Sequence, residues 1–90
     1  MTENIKRKVV IFLMKEKLFN NFISNYNVGS WHPNDAERFY KYVDYCYLNK
    51  IDEDEIRDTI LESKLPHNIK NDLIQKAITI YDYLLIKNNK

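Results

Sequence analysis

The sequence predicts an all-α fold, a compact bundle of four to five helices with no β-sheet. One glycine and two prolines among 90 residues leave few of the turns that a β-sheet or a glycine-rich nucleotide loop requires. Apolar residues recur at helical spacing, most clearly in the aromatic-rich stretch 36–48, AERFYKYVDYCYL. Because a chain of this length has room for about one hydrophobic core, we interpret residues 1–90 as a single helical domain.

The first 28 residues predict one long helix, or two helices in line with a bend near residues 15–17, because neither glycine nor proline occurs in residues 2–28. Residues 9–14, VVIFLM, are apolar on every side of such a helix. All-round apolarity indicates either burial on every side or one side kept for a partner. We favour burial, with a homodimer as the alternative; the residues that decide are Val10, Ile11 and Met14.

A loop is predicted over residues 27–34, where Gly29 permits a positive φ and Pro33 keeps its predecessor out of the helical region. Asn34 or Asp35 is then expected to cap the next helix. Trp31 has two interpretations. It either folds back and plugs the end of the core, which we favour because a tryptophan has a large area to bury, or it binds a partner.

The aromatic-rich helix carries more rings than one buried face needs. At 100° per residue its core face contains Cys46, which as a buried thiol behaves as a small hydrophobe. Tyr45 points the opposite way and Tyr42 lies on the edge between the faces. Arg38, Tyr42 and Tyr45 are spaced i, i+4, i+7 and form a candidate partner-binding strip, since tyrosine and arginine are enriched in binding hot spots.

Two further helices are predicted after residue 50. Asp52 is a good N-cap, with Glu55 three residues on, for an amphipathic helix over residues 54–63. Pro66 ends the following link, and His67 or Asn68 is expected to cap a last helix that reaches about residue 86.

Charge is uneven although the chain has a net charge of only +1. Residues 52–62 carry six acids against one arginine, a net charge of −5, and the segments before residue 29 and after residue 62 each carry five basic residues against two acids. This acidic segment is a candidate surface for a basic partner. Its candidate partner-binding residues are Asp52, Glu53, Asp54, Glu55 and Asp58.

Catalytic, cofactor-binding and metal-binding residues are not expected. A single cysteine and two histidines do not make a three-ligand zinc site, and the run of acids from residue 52 lacks the glycine turn of a calcium loop. The apolar run 9–14 is too short for a signal peptide or a membrane span. We therefore expect a cytoplasmic protein without a membrane partner.

The function that we expect is non-enzymatic protein binding by a monomer or weak homodimer. By analogy with small helical chains of phages and mobile elements, an inhibitor or adaptor fits, docking on a larger nucleic-acid-handling protein such as a CRISPR effector. The alternative is a helix-turn-helix-like DNA- or RNA-binding regulator, which the acidic segment disfavours because it would repel phosphates. Its base-reading residues would be His67, Asn68, Lys70, Asn71 and Gln75.

Overall fold

The structure, a computed structural model, describes residues 2–89, with side chains from residue 5 onward. It contains four helices: α1 (Thr2–Asn25), α2 (Pro33–Leu48), α3 (Glu53–Glu62) and α4 (His67–Asn88). Since no strand occurs in residues 2–89, the all-α prediction is confirmed, with four helices. None of these helices has the length and apolarity that crossing a membrane requires.

The chain divides into two compact units, Met1–Tyr42 and Val43–Lys90, with the division inside α2. Each unit is described below by itself. That residues 1–90 act as a single domain stays a prediction.

Helix α1 is one uninterrupted helix of 24 residues, about 36 Å long at 1.5 Å per residue. The alternative of two helices with a bend near residues 15–17 is therefore wrong. Residues 9–14 are helical, as predicted, but their side chains are not buried.

Six rings of the first unit contact one another and form what we call the aromatic cluster: Phe19, Phe22, Tyr26, Trp31, Phe39 and Tyr42. The ring centroid of Phe22 on α1 lies 5.0 Å from that of Phe39 on α2 and 5.1 Å from that of Tyr26. Phe22 and Phe39 are fully buried. Ring pairs at these separations contribute roughly 0.5–1.5 kcal/mol beyond the area that they bury, so this cluster holds α1 against the start of α2.

The loop between α1 and α2 turns at Gly29, whose φ of 97° suits glycine best. Helix α2 then begins at Pro33, two or three positions earlier than a cap at Asn34 or Asp35 implies, with His32 before it. The carboxylate of Asp35 reaches back and accepts the His32 backbone N–H at 3.1 Å. The expected cap at Asn34 or Asp35 is therefore wrong, because proline at the first helical position has the required φ and loses no hydrogen bond there.

Helix α2 ends in a Schellman turn that belongs to the second unit. The N–H of Ile51 donates to the Cys46 carbonyl at 2.9 Å, and the N–H of Lys50 donates to the Tyr47 carbonyl at 3.1 Å. Lys50 adopts the left-handed φ of 61° that this turn demands. The hydroxyl of Tyr81 on α4 donates to the Ile51 carbonyl at 2.8 Å, which ties the turn to α4.

Helices α3 and α4 complete the second unit. Asp52 caps α3, as predicted, by accepting the Glu55 N–H at 3.0 Å. Helix α4 begins at His67 with Pro66 at its N-cap position, so the expected cap at His67 or Asn68 is wrong. Pro66 occupies the N-cap because its carbonyl already accepts the first helical hydrogen bond, from the Lys70 N–H at 3.0 Å. The buried residues of the two helices are Ile56, Ile60, Leu73, Ile74, Ala77, Tyr81 and Leu84.

Candidate protein-binding surfaces

Tyr42 does not belong to a partner-binding strip, because its side chain is 0% exposed. Its ring centroid lies 5.1 Å from that of Phe19 on α1 and 6.3 Å from that of Phe39 on α2. The helical angle placed Tyr42 at the edge of the core face, and the ring of Phe19 extends the core over that edge. The predicted exposure of Tyr42 is therefore wrong.

Arg38 is half-buried and interacts within its own helix. Its Nη1 lies 3.5 Å from the Oδ1 of Asp35, and Asp35 is buried. The same carboxylate accepts the His32 N–H, so Arg38 supports the charge that holds the start of α2. Tyr45 is half-buried. With Tyr42 in the core, Arg38 and Tyr45 are not joined into a continuous strip, and the role of each in binding stays a prediction.

Trp31 packs on the aromatic cluster and keeps 39% of its surface exposed. Its ring makes edge contacts with Tyr26 at 5.8 Å, Phe22 at 6.0 Å and Phe39 at 6.1 Å. These contacts agree with the interpretation that Trp31 plugs the end of the core. Its binding of a partner stays a prediction.

The predicted acidic residues lie at the surface of the second unit. Asp52, Asp54, Glu55 and Asp58 are exposed, and Glu53 is half-buried. Arg57 makes an ion pair with Asp54, with 3.3 Å between Nη2 and Oδ1. Because the remaining carboxylates are close in sequence and mostly solvated, they give this face of the second unit a negative potential.

Asp82 on α4 extends this acidic surface. Burial raises the pKa of the Glu53 carboxyl, and the charges of Asp82, Asp54 and Asp52 raise it further. Burial also raises the pKa of the Tyr81 hydroxyl, and Asp52 has the next largest effect on it. Asp82 is 30 positions from Asp52 in the sequence and lies on a different helix. The spacing of residues within one helix therefore could not predict that the two carboxylates share a surface.

Of the thirteen large hydrophobic residues that are exposed in the described part of the chain, six lie on α1 in the stretch 5–14, which we call the apolar segment. The predicted burial of Val10 and Met14 is wrong: both are exposed, and Ile11 is half-buried. Burial on α1 begins at Lys15, and the first ring of the aromatic cluster is that of Phe19. The large exposed side chains of the segment are between 39% and 63% exposed. They are Ile5, Val9, Val10, Phe12, Leu13 and Met14.

Four of these side chains form one stripe along the helix. Ile5, Val9, Phe12 and Leu13 are spaced i, i+4, i+7, i+8, and they therefore share a face. On the helical wheel Lys6 and Lys8 flank this stripe on its two sides, and both lysines are exposed. The spacing of these four residues was visible in the sequence, but the same spacing also fits a helix face that is buried in the core.

Lys15 marks the boundary between the apolar segment and the aromatic cluster. It is a buried lysine, 7% exposed, and its ammonium lies 5.5 Å from the ring centroid of Phe12. Such a cation–π contact lets the charged group sit beside an apolar ring. The Phe12 ring is thereby held at a defined position although more than half of it is exposed.

Other kinds of site find little support in residues 2–89. No group of three or more His, Cys, Asp or Glu side chains is placed to hold a metal ion there. Cys46 is buried, as predicted. In the helix-turn-helix alternative, Lys70 was a candidate to read DNA bases. Its ammonium instead donates to the Leu61 carbonyl at 2.7 Å. This carbonyl lies in the last turn of α3, where carbonyls have no partner within the helix.

Comparison with known proteins adds no family to these observations: no protein-family model, no curated protein and no solved structure matches the chain.

Proposed function

We propose that this chain is a non-enzymatic protein-binding module that docks through the apolar segment of α1. The observation that carries the proposal is the exposure of six large apolar side chains within ten consecutive helical residues. Scattered exposed apolar residues are normal, but contiguous apolar patches mark sites of interaction. The spacing of Ile5, Val9 and Phe12 is that of an amphipathic helix which lays its anchors into an apolar groove.

Helix stability supports docking of this segment. Val9, Val10 and Ile11 are β-branched and favour a helix less than straight-chain residues do. Isolated helices of about 12–15 residues are marginal in water, and most helices in proteins depend on packing of an apolar face. The apolar segment has few such contacts within the chain, so an occupant that covers it stabilises both the helix and the complex.

The acidic surface on α3 and α4 supports a second contact with a larger partner. Its exposed carboxylates suit a basic surface such as the groove of a nucleic-acid-handling protein, where complementary charge speeds association and selects the partner. The chain therefore acts, in this proposal, as a small cytoplasmic inhibitor or adaptor of a phage or mobile element. The DNA-binding alternative has less support, because Lys70, one of its five base-reading candidates, donates to the Leu61 carbonyl within the chain.

The proposal is tested by affinity capture from the cells that express the chain. Val9→Ser, Phe12→Ser and Leu13→Ser together remove three of the four side chains of the apolar stripe and leave the aromatic cluster unchanged. The matched control places three serines at Leu48, Tyr83 and Ile86, which are exposed apolar residues of the second unit. We expect wild type and control to retain the same proteins, identified by mass spectrometry, and the Val9, Phe12 and Leu13 variant to lose them. Equal retention by both variants contradicts the proposal.

A further inference from the structure

We infer that the occupant of the apolar segment is a second copy of this chain, paired with it in antiparallel orientation. This inference rests on the proposed function, since it names what the apolar segment binds. The pair presents two acidic surfaces to a larger partner, so a variant that cannot pair also holds that partner less tightly.

The stripe of Ile5, Val9, Phe12 and Leu13 offers a small self-complementary surface. These four side chains are between 49% and 63% exposed. Two copies that cover each other's stripe bury roughly 800 Å², less than the roughly 1,200 Å² of stable specific interfaces. An isologous contact of this size suits a weak, reversible dimer, with charge setting its orientation.

Basic charge selects the antiparallel orientation. Lys6, Arg7 and Lys8 are consecutive at one end of the apolar segment, and all three are exposed. A parallel pair would place the two basic clusters side by side, and like charges at close range repel. An antiparallel pair separates the clusters by the length of the segment.

Glu16 provides the complementary charge at the other end. It lies eleven positions after Ile5 and therefore continues the face of Ile5, Val9 and Phe12 along α1; its side chain is half-buried. When Val9 of one copy faces Phe12 of the second, Glu16 lies beside Ile5 of the second copy, within reach of Lys6 and Lys8. The symmetry of the pair creates this contact twice.

Sedimentation across a concentration range tests the pairing. We expect wild type to change from monomer to dimer between about 1 μM and 1 mM. The variant with serine substitutions of Val9, Phe12 and Leu13 should associate at least tenfold more weakly. The matched control, with serine substitutions of Leu48, Tyr83 and Ile86, should associate as wild type does. Circular dichroism of each variant confirms that the helices are intact.

Charge reversal tests the orientation. Lys6→Glu with Lys8→Glu should weaken association about tenfold, because Glu16 of the second copy then faces two acids. Adding Glu16→Lys to that variant should restore association to within about threefold of wild type. Eight and ten positions separate Glu16 from these lysines on one helix, so a rescue reports contact between copies. A double variant that stays weak after Glu16→Lys overturns the antiparallel arrangement.

Wild type that sediments as a monomer over the whole range overturns the second-copy inference. In that case the affinity capture decides the proposed function separately. A different protein that wild type and control retain, and that the Val9, Phe12 and Leu13 variant loses, upholds the apolar segment as a docking element with another occupant. If both variants retain the same proteins, the proposed function fails as well.

Discussion

The two halves of α1 have similar apolar content and opposite environments. In the second half, Phe19 and Phe22 are buried against rings of α2, and the packed rings hold the helix in place. In the first half, Ile5 and Leu13 are 63% and 59% exposed. The two halves belong to one continuous helix, so helix formation does not distinguish them.

This difference separates two uses of apolar side chains. The second half stabilises the folded chain through its buried rings, whereas the first half exposes its large apolar side chains, which we propose are used for association. Covering the first half gains the same kind of hydrophobic free energy, about 25 cal/mol for each Å², but only when an occupant is present. Substitutions in the two halves should therefore affect different measurements.

The largest expected effect is on Phe22. Phe22→Ala removes a fully buried ring that contacts those of Tyr26, Trp31 and Phe39, and we expect it to lower the free energy of unfolding by about 3–5 kcal/mol. Phe12→Ala removes a ring that is 55% exposed and should cost less than about 1 kcal/mol. Urea unfolding at about 1 μM chain, where the proposed dimer is dissociated, measures both.

Equal losses for Phe12→Ala and Phe22→Ala would erase the contrast between the two halves. The concentration matters, because dimerisation adds apparent stability at high concentration. Repeating the Phe12→Ala measurement at about 500 μM should increase its cost relative to wild type, since only wild type then gains from full association.

A second pair of substitutions extends the contrast to α2. Tyr42→Ala should cost about 3 kcal/mol, because a ring packed against Phe19 and Phe39 is removed from the core. Tyr45→Ala, at a half-buried position, should cost about 1 kcal/mol. Thermal unfolding followed by circular dichroism compares the two variants. A Tyr42→Ala protein as stable as wild type would contradict the core position of this ring.

Much of the fold was predictable because local chemistry decides it. Gly29, Pro33 and Pro66 interrupt the helical pattern, and Asp52 begins a helix by accepting a backbone N–H that would otherwise be unsatisfied. The core position of Cys46 followed from its angle on the aromatic-rich helix. The predicted caps of α2 and α4 were one to three residues too late, and a proline lies at or next to each observed cap.

Burial was harder to predict, because it depends on which element lies opposite. The angle of Tyr42 on α2 was correct, but the sequence contained no information that Phe19 would cover it. The apolar segment of α1 likewise had a pattern that fits either burial or exposure, and the size of the chain wrongly favoured burial. Asp82 joined the acidic surface through the approach of α4 to α3, which spacing within one helix does not specify.

The smallest expected effect tests the boundary between the halves of α1, where the Lys15 ammonium lies 5.5 Å from the Phe12 ring centroid. Phe12→Leu keeps an apolar side chain on the stripe but removes the ring, so we expect a loss of about 0.5 kcal/mol in the free energy of unfolding. Association should stay within about threefold of wild type, because leucine still covers the second copy. Urea unfolding at about 1 μM and sedimentation measure the two effects.

A double-mutant cycle assigns this small loss to the cation–π contact. Lys15→Met retains the length and apolar packing of the buried side chain while removing its charge. In the Lys15→Met background, Phe12→Leu should therefore cost nothing measurable. The same loss in both backgrounds would mean that the Phe12 ring is held by apolar packing alone, and that Lys15 does not link the exposed half of α1 to the buried one.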